Sequence, residues 1–116
     1  KKRTSELIQE SAELINYRLD EQILIECYDA YHNEYGMISE AGKQAIDDTA
    51  ILEGILLDPI YTGKVMAGLI DLTNKNIVDK HIPVIFIHTG GMPILFSFES
   101  ELGSKINCTK IYNKKV

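Results

Sequence analysis

The chain has 116 residues, of which 45% are hydrophobic and 25% are charged, a composition typical of one globular domain. Its formal net charge of −5 and the lack of a long basic stripe argue against nucleic acid as a partner. No apolar run approaches the roughly 20 residues that a membrane helix needs, so we expect no association with a membrane. The two cysteines, Cys27 and Cys108, lack metal-ligand spacing. We interpret both as free thiols of a cytoplasmic protein and Cys27 as a small core residue, and we expect no metal site.

The first quarter of the chain predicts a helix, a strand and a loop. Apolar residues at helical spacing predict a helix over residues 4–18. Residues 22–28 form a short apolar, β-branched run, which predicts a strand that is buried on both faces if the sheet is parallel. Residues 29–36 are polar and aromatic without periodicity and predict a loop.

Two further helices are predicted on either side of a short strand. Ser39 is a favourable N-cap for a helix that runs to residue 52, and Gly54 is suited to end it. Residues 55–57 predict a very short strand, and residues 64–74 predict the next helix. The residues expected on the buried faces of the two helices are Ala41, Ala45, Ile46, Ala50 and Ile51, and then Val65, Met66, Leu69, Ile70 and Leu72.

The last third contains the most strand-like run of the chain, residues 83–88. Residues 92–98 are expected to form a short helix or irregular cover, and residues 99–116 a polar, lysine-rich tail. Helices that alternate with strands favour an α/β fold: a three-layer αβα arrangement with a mainly parallel sheet and right-handed crossovers. We therefore expect one α/β unit over residues 1–98, followed by the tail.

Two motifs in this chain have the same character. They are EGILLDPIYTGKVMAG at residues 53–68 and IFIHTGGMP at residues 85–93. In each, an apolar run breaks into a turn rich in Gly and Thr, with an aromatic or His side chain. In α/β folds such a turn lies where a strand ends beside a ligand. We therefore expect the two motifs to form parts of one site.

With both motifs in register, the chain resembles the C-terminal part of the D-cysteine desulfhydrase and 1-aminocyclopropane-1-carboxylate (ACC) deaminase family. These are pyridoxal-phosphate enzymes of fold type II, the tryptophan-synthase β-subunit type. The resemblance runs from the first helix to about Phe98. It implies a pyridoxal-phosphate-dependent lyase that acts on a small amino acid and is a homodimer at full length.

The resemblance also implies which residues form the site. Tyr35 and Tyr61 would be catalytic tyrosines near cofactor and substrate, and Thr62 and Thr89 would lie near the pyridine nitrogen. Residues 32–34 depart from the family pattern, in which Pro and Gly are common, and this puts the substrate preference in question. Glycines let a backbone approach a flat ring closely. The glycines in question are Gly63, Gly90 and Gly91.

Each of these residues also has a purely structural interpretation. The tyrosines could be loop aromatics with satisfied hydroxyls, Thr62 could be a helix N-cap, and Thr89 could simply end a strand. His88 is interpreted as a packed or hydrogen-bonded strand-end residue rather than a catalytic base. Asp58 is expected to hydrogen-bond the backbone of its own turn.

The residue after the motif tyrosine favours one substrate. Within the family, deaminases resemble DPVYEGK with HLGG, whereas this chain has Thr62 and HTGG, as desulfhydrases do. A Thr hydroxyl can hydrogen-bond to a ring nitrogen that carries no proton, and the cofactor ring is then a weaker electron sink. A weaker sink suits β-elimination, because the charge leaves with the departing group. The resemblance thus favours conversion of D-cysteine to pyruvate, sulfide and ammonia. The alternatives are an ACC deaminase or another amino-acid deaminase, and a non-catalytic α/β module that binds a small ligand or a partner chain.

Other parts of the family pattern have no match in this chain. These parts are the Schiff-base lysine, the Ser-Asn pair after it and the Gly-rich phosphate loop, and Lys64 is not assigned the Schiff-base role. The opening KKRTSELIQE has neither an initiator Met nor the apolar segment of a signal peptide. We therefore expect a segment cut from a longer enzyme that is inactive alone.

Overall fold

A computed structural model of the protein describes residues 2–19, 24–31, 34 and 36–102. Its elements, in chain order, are α1 (Lys2–Leu14), α2 (Glu40–Glu53), α3 (Thr62–Asn74), a 3₁₀ helix (Met92–Phe98) and α4 (Glu99–Leu102). Helices α2 and α3 pack against each other. Among the described residues, no helix is both long enough and apolar enough to cross a membrane.

Helix α2 begins and ends at the residues that the sequence predicts. Ser39 has an extended backbone, with φ −88° and ψ 155°, and its side chain accepts a hydrogen bond from the backbone N–H of Gly42 at 3.0 Å. Gly54 takes the left-handed conformation at φ 69° and donates its N–H to the carbonyl of Ala50. Both caps satisfy backbone groups that the helix itself leaves unpaired.

Small side chains bring α2 and α3 close together. A Cβ added at Gly63 would lie 2.8 Å from Cγ1 of Ile46, so any side chain there would collide with α2. Ala45 and Ile46 are buried as predicted, and Ala67, which is not among the residues expected to be buried, is buried too. The prediction that the larger apolar residues of both helices face the core is wrong at three positions, because Ile51 is 79% exposed, Val65 is 59% exposed and Ile70 is 39% exposed. The smaller Ala41, also predicted to be buried, is exposed as well. Two helices can approach closely only through faces that carry small side chains. Apolar periodicity shows where the apolar residues lie but does not reveal which face makes that contact.

Helix α1 is shifted relative to the predicted helix over residues 4–18. It ends at Leu14, where Asn16 takes a positive φ of 52°. The N–H of Tyr17 then bonds back to the carbonyl of Ala12 at 2.8 Å. Asn tolerates the left-handed conformation better than most residues, so Asn16 ends the helix earlier than apolar spacing suggests.

The predicted strands are not seen in the described part of the chain. Residues 24–28, 55–57 and 83–88 carry no strand assignment there, so the predicted parallel sheet and its three-layer arrangement are not shown. Residues 22 and 23 of the first predicted strand lie outside the described residues. Leu24 is 81% exposed and Ile85 is 89% exposed, whereas strands buried in a parallel sheet would hide them. Composition marks a segment as fit for a sheet, but a strand forms only through hydrogen bonds to a neighbouring strand.

The interpretation of Cys27 as a core residue is wrong for the same reason. Its side chain is exposed, and its sulfur lies 3.9 Å from the hydroxyl of Thr4 on α1. A cysteine in this run would be buried only if the run were covered on both faces. Cys108 lies outside the described residues.

Residues 92–98 form a 3₁₀ helix with Pro93 in its first turn, in agreement with the short helix expected there. A proline suits this position because its missing N–H would find no partner inside the helix. The start of the predicted tail forms the short α4, and residues 103–116 lie outside the described residues.

The N-cap of α2 can be tested by replacing Ser39. We expect S39A to lower the free energy of unfolding by about 1 kcal/mol, because the N–H of Gly42 loses its acceptor. S39D supplies another good capping side chain and should restore most of the loss. Urea unfolding of the two variants and the parent protein measures both effects, and equal losses in S39A and S39D would contradict a capping role.

Candidate functional site

The two motifs adjoin in the structure, as predicted. The Nε2 atom of His88 lies 2.9 Å from the carbonyl oxygen of Leu56. His88 Nδ1 accepts a hydrogen bond from the N–H of Gly90, so Nε2 carries the proton that is donated to Leu56. This confirms His88 as a hydrogen-bonded residue at the end of its segment.

A second contact between the motifs joins Gly91 to Asp58. A Cβ added at Gly91 would lie 2.8 Å from Cγ of Asp58. The backbone of the HTGG motif therefore lies directly against the Asp58 side chain. Together with the bond from His88 to Leu56, this contact fixes where one motif sits on the other.

Residues 58–62, which we name the Asp58 turn, are organised by a buried carboxylate. Asp58 is 0% exposed. Its Oδ2 accepts the N–H groups of Ile60 and Tyr61 at 2.8 Å each. Its Oδ1 accepts the N–H of Thr62 at 2.8 Å and the Thr62 hydroxyl at 2.6 Å. Four donors thus converge on one carboxylate where α3 begins, a position that the helix macrodipole also favours.

These contacts determine the charge of Asp58. Burial raises the pKa of its carboxyl, whereas hydrogen bonds from the Thr62 hydroxyl and from the N–H groups of Thr62, Tyr61 and Ile60 lower it. The net result is a pKa below the ordinary value. All four partners are donors, so they favour the ionised form, and Asp58 is a carboxylate at neutral pH.

The hydroxyl of Thr62 is engaged inside the Asp58 turn. It donates to Asp58 Oδ1 and accepts the backbone N–H of Asp58 at 2.8 Å, and the residue is 2% exposed. A hydroxyl has one proton and two lone pairs, so Thr62 has no proton left and one lone pair. The predicted contact between Thr62 and the cofactor stays a prediction, and in this arrangement Thr62 could only accept.

Tyr61 faces a different region from its neighbour Thr62. It is 56% exposed and borders a groove of about 450 Å³. The groove lies along α3, and Tyr28, Tyr31, Val65 and Leu69 are among the residues that line it. Thr89 and Gly90 do not line this groove. Tyr61 is thus presented outward while Thr62 is turned inward, although the two are consecutive.

One groove residue, Tyr31, has contacts that the sequence does not reveal. Its ring packs on Gly68, where an added Cβ would lie 3.0 Å from a ring carbon. Its hydroxyl donates to Asp71, which also accepts from Lys75 at 2.6 Å. The hydrogen bond to Asp71 raises the pKa of Tyr31, so the phenol stays protonated. Gly68 and Asp71 share one helix face and could have hinted at a partner, but the identity of that partner depends on the tertiary fold.

Thr89 and Gly90 form the open edge of the second motif. Both are exposed, and Thr89 has no hydrogen-bond partner among the residues that the structure describes. Gly90 has a φ of 97°, and a Cβ there would meet nothing within 4 Å. This open edge has room for a flat ring and offers a hydroxyl whose proton is not already used. The residues present therefore fit the predicted cofactor at Thr89 and Gly90.

The other predicted site residues are placed differently. Gly63 is packed between Ile46 and the carbonyl of Asp58, so its lack of a side chain serves helix packing. Tyr35 lies outside the described residues, and its catalytic role stays a prediction. The structure thus joins the motifs but separates inward-facing residues from those that a ligand can reach.

Comparisons with known proteins support the resemblance to the desulfhydrase and deaminase family. No family model matches the chain. D-cysteine desulfhydrases from Salmonella newport (strain SL254) and Salmonella heidelberg (strain SL476) are 52% identical to it over 64 residues, which is 55% of this chain and 20% of each relative. A solved structure of an ACC deaminase homologue aligns with a TM-score of 0.73 at 38% sequence identity, covering 89% of this chain and 30% of that chain. The matches thus span only a fifth to a third of these relatives.

The contact between the motifs can be tested with two matched glycine variants. Gly90 and Gly91 both have a positive φ, so alanine costs each of them about 1–2 kcal/mol of backbone strain. Only G91A also drives a methyl group into Asp58. We expect G91A to reduce stability by roughly 1–3 kcal/mol more than G90A does, since overpacking adds to the strain. Thermal unfolding measures the difference, and equal losses would show that the motifs do not touch at Gly91.

The Asp58 carboxylate predicts a pH-dependent stability. At pH 7, we expect D58N to cost about 2 kcal/mol, because an amide cannot accept from all four donors. Asp58 has a lowered pKa in the folded protein, so its contribution is present above the unfolded pKa of about 3.9 and is lost as pH falls through the folded pKa. The gap between parent and variant should therefore shrink from pH 7 to pH 3. Urea unfolding at both values is the measurement, and a constant gap would show that folding does not lower the pKa of Asp58.

Proposed function

We propose that this chain, as a member of the family of D-cysteine desulfhydrases and ACC deaminases, forms one wall of a pyridoxal-phosphate site in an amino-acid lyase. The observation that supports this proposal most directly is the junction of the two motifs at Asp58 and Gly91. The junction places the open edge of one motif beside the start of α3 in the other. The remaining walls, including the Schiff-base lysine and the phosphate loop, belong to other parts of a longer protein.

Two exposed elements would face the ligands. Thr89 and Gly90 would contact the cofactor ring. Gly90 leaves room for the ring, and no residue that the structure describes accepts the hydroxyl proton of Thr89. Tyr61 and the predicted Tyr35 would face the substrate. Thr62 and Gly63, predicted beside the cofactor, lie inside the wall.

The chemistry divides between cofactor and protein. When bound, pyridoxal phosphate supplies an electron sink for the charge that develops at the substrate's α-carbon. A phenol keeps its proton near neutral pH, because its unperturbed pKa is about 10. Tyr61 is therefore suited to donate a hydrogen bond or a proton to the substrate rather than to remove one. The exposed placement of its side chain supports this role.

We propose D-cysteine as the substrate, with pyruvate, sulfide and ammonia as products. The YTGK and HTGG sequences, together with identity to proteins named D-cysteine desulfhydrase, support this choice. ACC deamination is the second candidate, since the matching solved structure is described as an ACC deaminase homologue. A non-catalytic module that binds a ligand or partner would apply only if the longer protein had no Schiff-base lysine.

The exposed apolar surface is consistent with a segment of a larger assembly. Ile51, Ile85 and Phe96 are all more than 70% exposed. Exposed apolar area of this kind is normally covered by other parts of a protein or by a partner. We propose that the rest of the enzyme covers these residues and that the full-length protein is a homodimer in the cytoplasm.

Activity of the full-length enzyme tests the proposal. We expect sulfide and pyruvate from D-cysteine, and a decrease in kcat of roughly 10²-fold in Y61F, because general acid–base groups contribute on that order. Tyr17, an exposed tyrosine just beyond α1, supplies the matched control, and Y17F should leave kcat unchanged.

Two results would contradict parts of this proposal. Release of 2-oxobutanoate from ACC without sulfide from D-cysteine would show that the substrate is wrong. Equal kcat values for Y61F and Y17F would remove Tyr61 from the chemistry.

A further inference from the structure

The Thr62 hydroxyl is the feature of the candidate site that agrees least with a role in binding the cofactor. Thr62 is 2% exposed, and its hydroxyl makes two hydrogen bonds, both to Asp58. One of them donates the only hydroxyl proton to Asp58 Oδ1 at 2.6 Å. A residue that contacts a ligand through its hydroxyl would need that proton, or an exposed lone pair, on the ligand's side.

Withdrawing the hydroxyl from Asp58 would be costly. The acceptor is a carboxylate that is 0% exposed, and among the described residues it has no ion-pair partner. Hydrogen bonds to a buried ionised group are the strong ones, and losing a donor leaves part of a buried charge unsatisfied. The hydroxyl therefore stays with Asp58 when a ligand arrives.

The same carboxylate connects Thr62 to the exposed tyrosine. Asp58 Oδ2 accepts the N–H of Tyr61 while Oδ1 accepts both the N–H and the hydroxyl of Thr62. The orientation of the carboxylate thus depends on Thr62, and the backbone of Tyr61 depends on the carboxylate. A change at Thr62 would be transmitted to the position of the phenol.

We propose that Thr62 is a positioning residue that acts through Asp58 on Tyr61, so that, of the two threonines that the family resemblance places near the cofactor's ring nitrogen, only Thr89 is left to bond it. This proposal rests on the proposed function, because it assigns roles within the same site. It also replaces the expectation that both threonines lie at the ring nitrogen. Thr62, where the deaminase pattern has Glu, would then determine the conformation of the Asp58 turn and the position of Tyr61.

The test compares the same chemical change at both threonines in the full-length enzyme. T62V and T89V each replace a hydroxyl with a methyl group of similar size, and T62S keeps a hydroxyl at position 62. In the cofactor-free enzyme, ¹³C NMR follows the titration of the Asp58 carboxyl. In the holoenzyme, ¹⁵N-labelled pyridoxal phosphate reports on the ring nitrogen through its chemical shift.

The two threonines should give opposite patterns. T62V should raise the Asp58 pKa, because the carboxylate loses its hydroxyl donor, and T62S should keep it low. The ¹⁵N shift should stay unchanged in T62V and T62S and should move in T89V. We also expect T89V, but not T62V, to weaken cofactor binding by roughly tenfold, since one hydrogen bond is lost. T62V should instead lower kcat through a displaced Tyr61.

Several outcomes would overturn the inference. A ¹⁵N shift that moves in T62V as much as in T89V would make Thr62 a cofactor contact, and a shift that moves in neither would remove Thr89 from the ring nitrogen. An Asp58 pKa that is the same in T62V and the parent enzyme would show that Thr62 does not act on Asp58.

Failure of the proposed function gives a distinguishable result. A parent enzyme that binds no pyridoxal phosphate would overturn the proposed function and, with it, the assignment of Thr89. The cofactor-free titration still decides the first half of the inference in that case. A raised Asp58 pKa in T62V supports a positioning role for Thr62, and an unchanged one refutes it.

Discussion

The Asp58 carboxylate is buried without a compensating cation among the described residues, and the local structure depends on how its charge is stabilised. An isolated buried carboxylate would be too costly to remain ionised. Here the Asp58 turn directs three backbone N–H groups and one hydroxyl at it, all within five residues of chain. Because the donors come from residues 58–62 themselves, the charge and the conformation of the turn stabilise each other. The first turn of α3 gains an acceptor in the same arrangement.

Contacts spread outward from this turn in two directions. On one side, Gly63 lies between the carbonyl of Asp58 and Ile46, so the turn is held against α2. On the other side, Gly91 lies against the Asp58 side chain. A larger residue at either glycine would displace the turn or its neighbour. The two glycines thus act as packing residues that connect α2, α3 and the HTGG motif into one body.

The parts of this structure that the sequence predicts are those that depend on neighbours in the chain. Ser39 and Gly54 cap α2 through bonds to residues three and four positions away, and the turn role of Asp58 is equally local. The composition predicts strands in the segments that suit them, but the hydrogen bonds of a strand need a partner segment that composition does not specify. The hydrogen bond between Tyr31 and Asp71 joins residues 40 positions apart, and the local sequence of one does not identify the other as its partner. The sequence predicts that the two motifs adjoin, because both are Gly- and Thr-rich turns of the kind found beside ligands. It does not predict that the Thr62 side chain points inward.

The residue at position 62 therefore carries two kinds of information. In the resemblance to the desulfhydrase and deaminase family, Thr or Glu at this position indicates which electronic environment the cofactor meets. In the structure, Thr62 gives its proton to a buried carboxylate and accepts a backbone N–H in return. An ionised Glu could accept the N–H, but it could not donate to Asp58, because it has no proton, and it would place a second negative charge beside Asp58. A chain with Glu at this position must hold the turn in another way. On the role proposed for Thr62, the Thr-to-Glu difference would change the position of the neighbouring tyrosine as well as the chemistry near the ring. Substrate preference within such a family would then follow from both effects together.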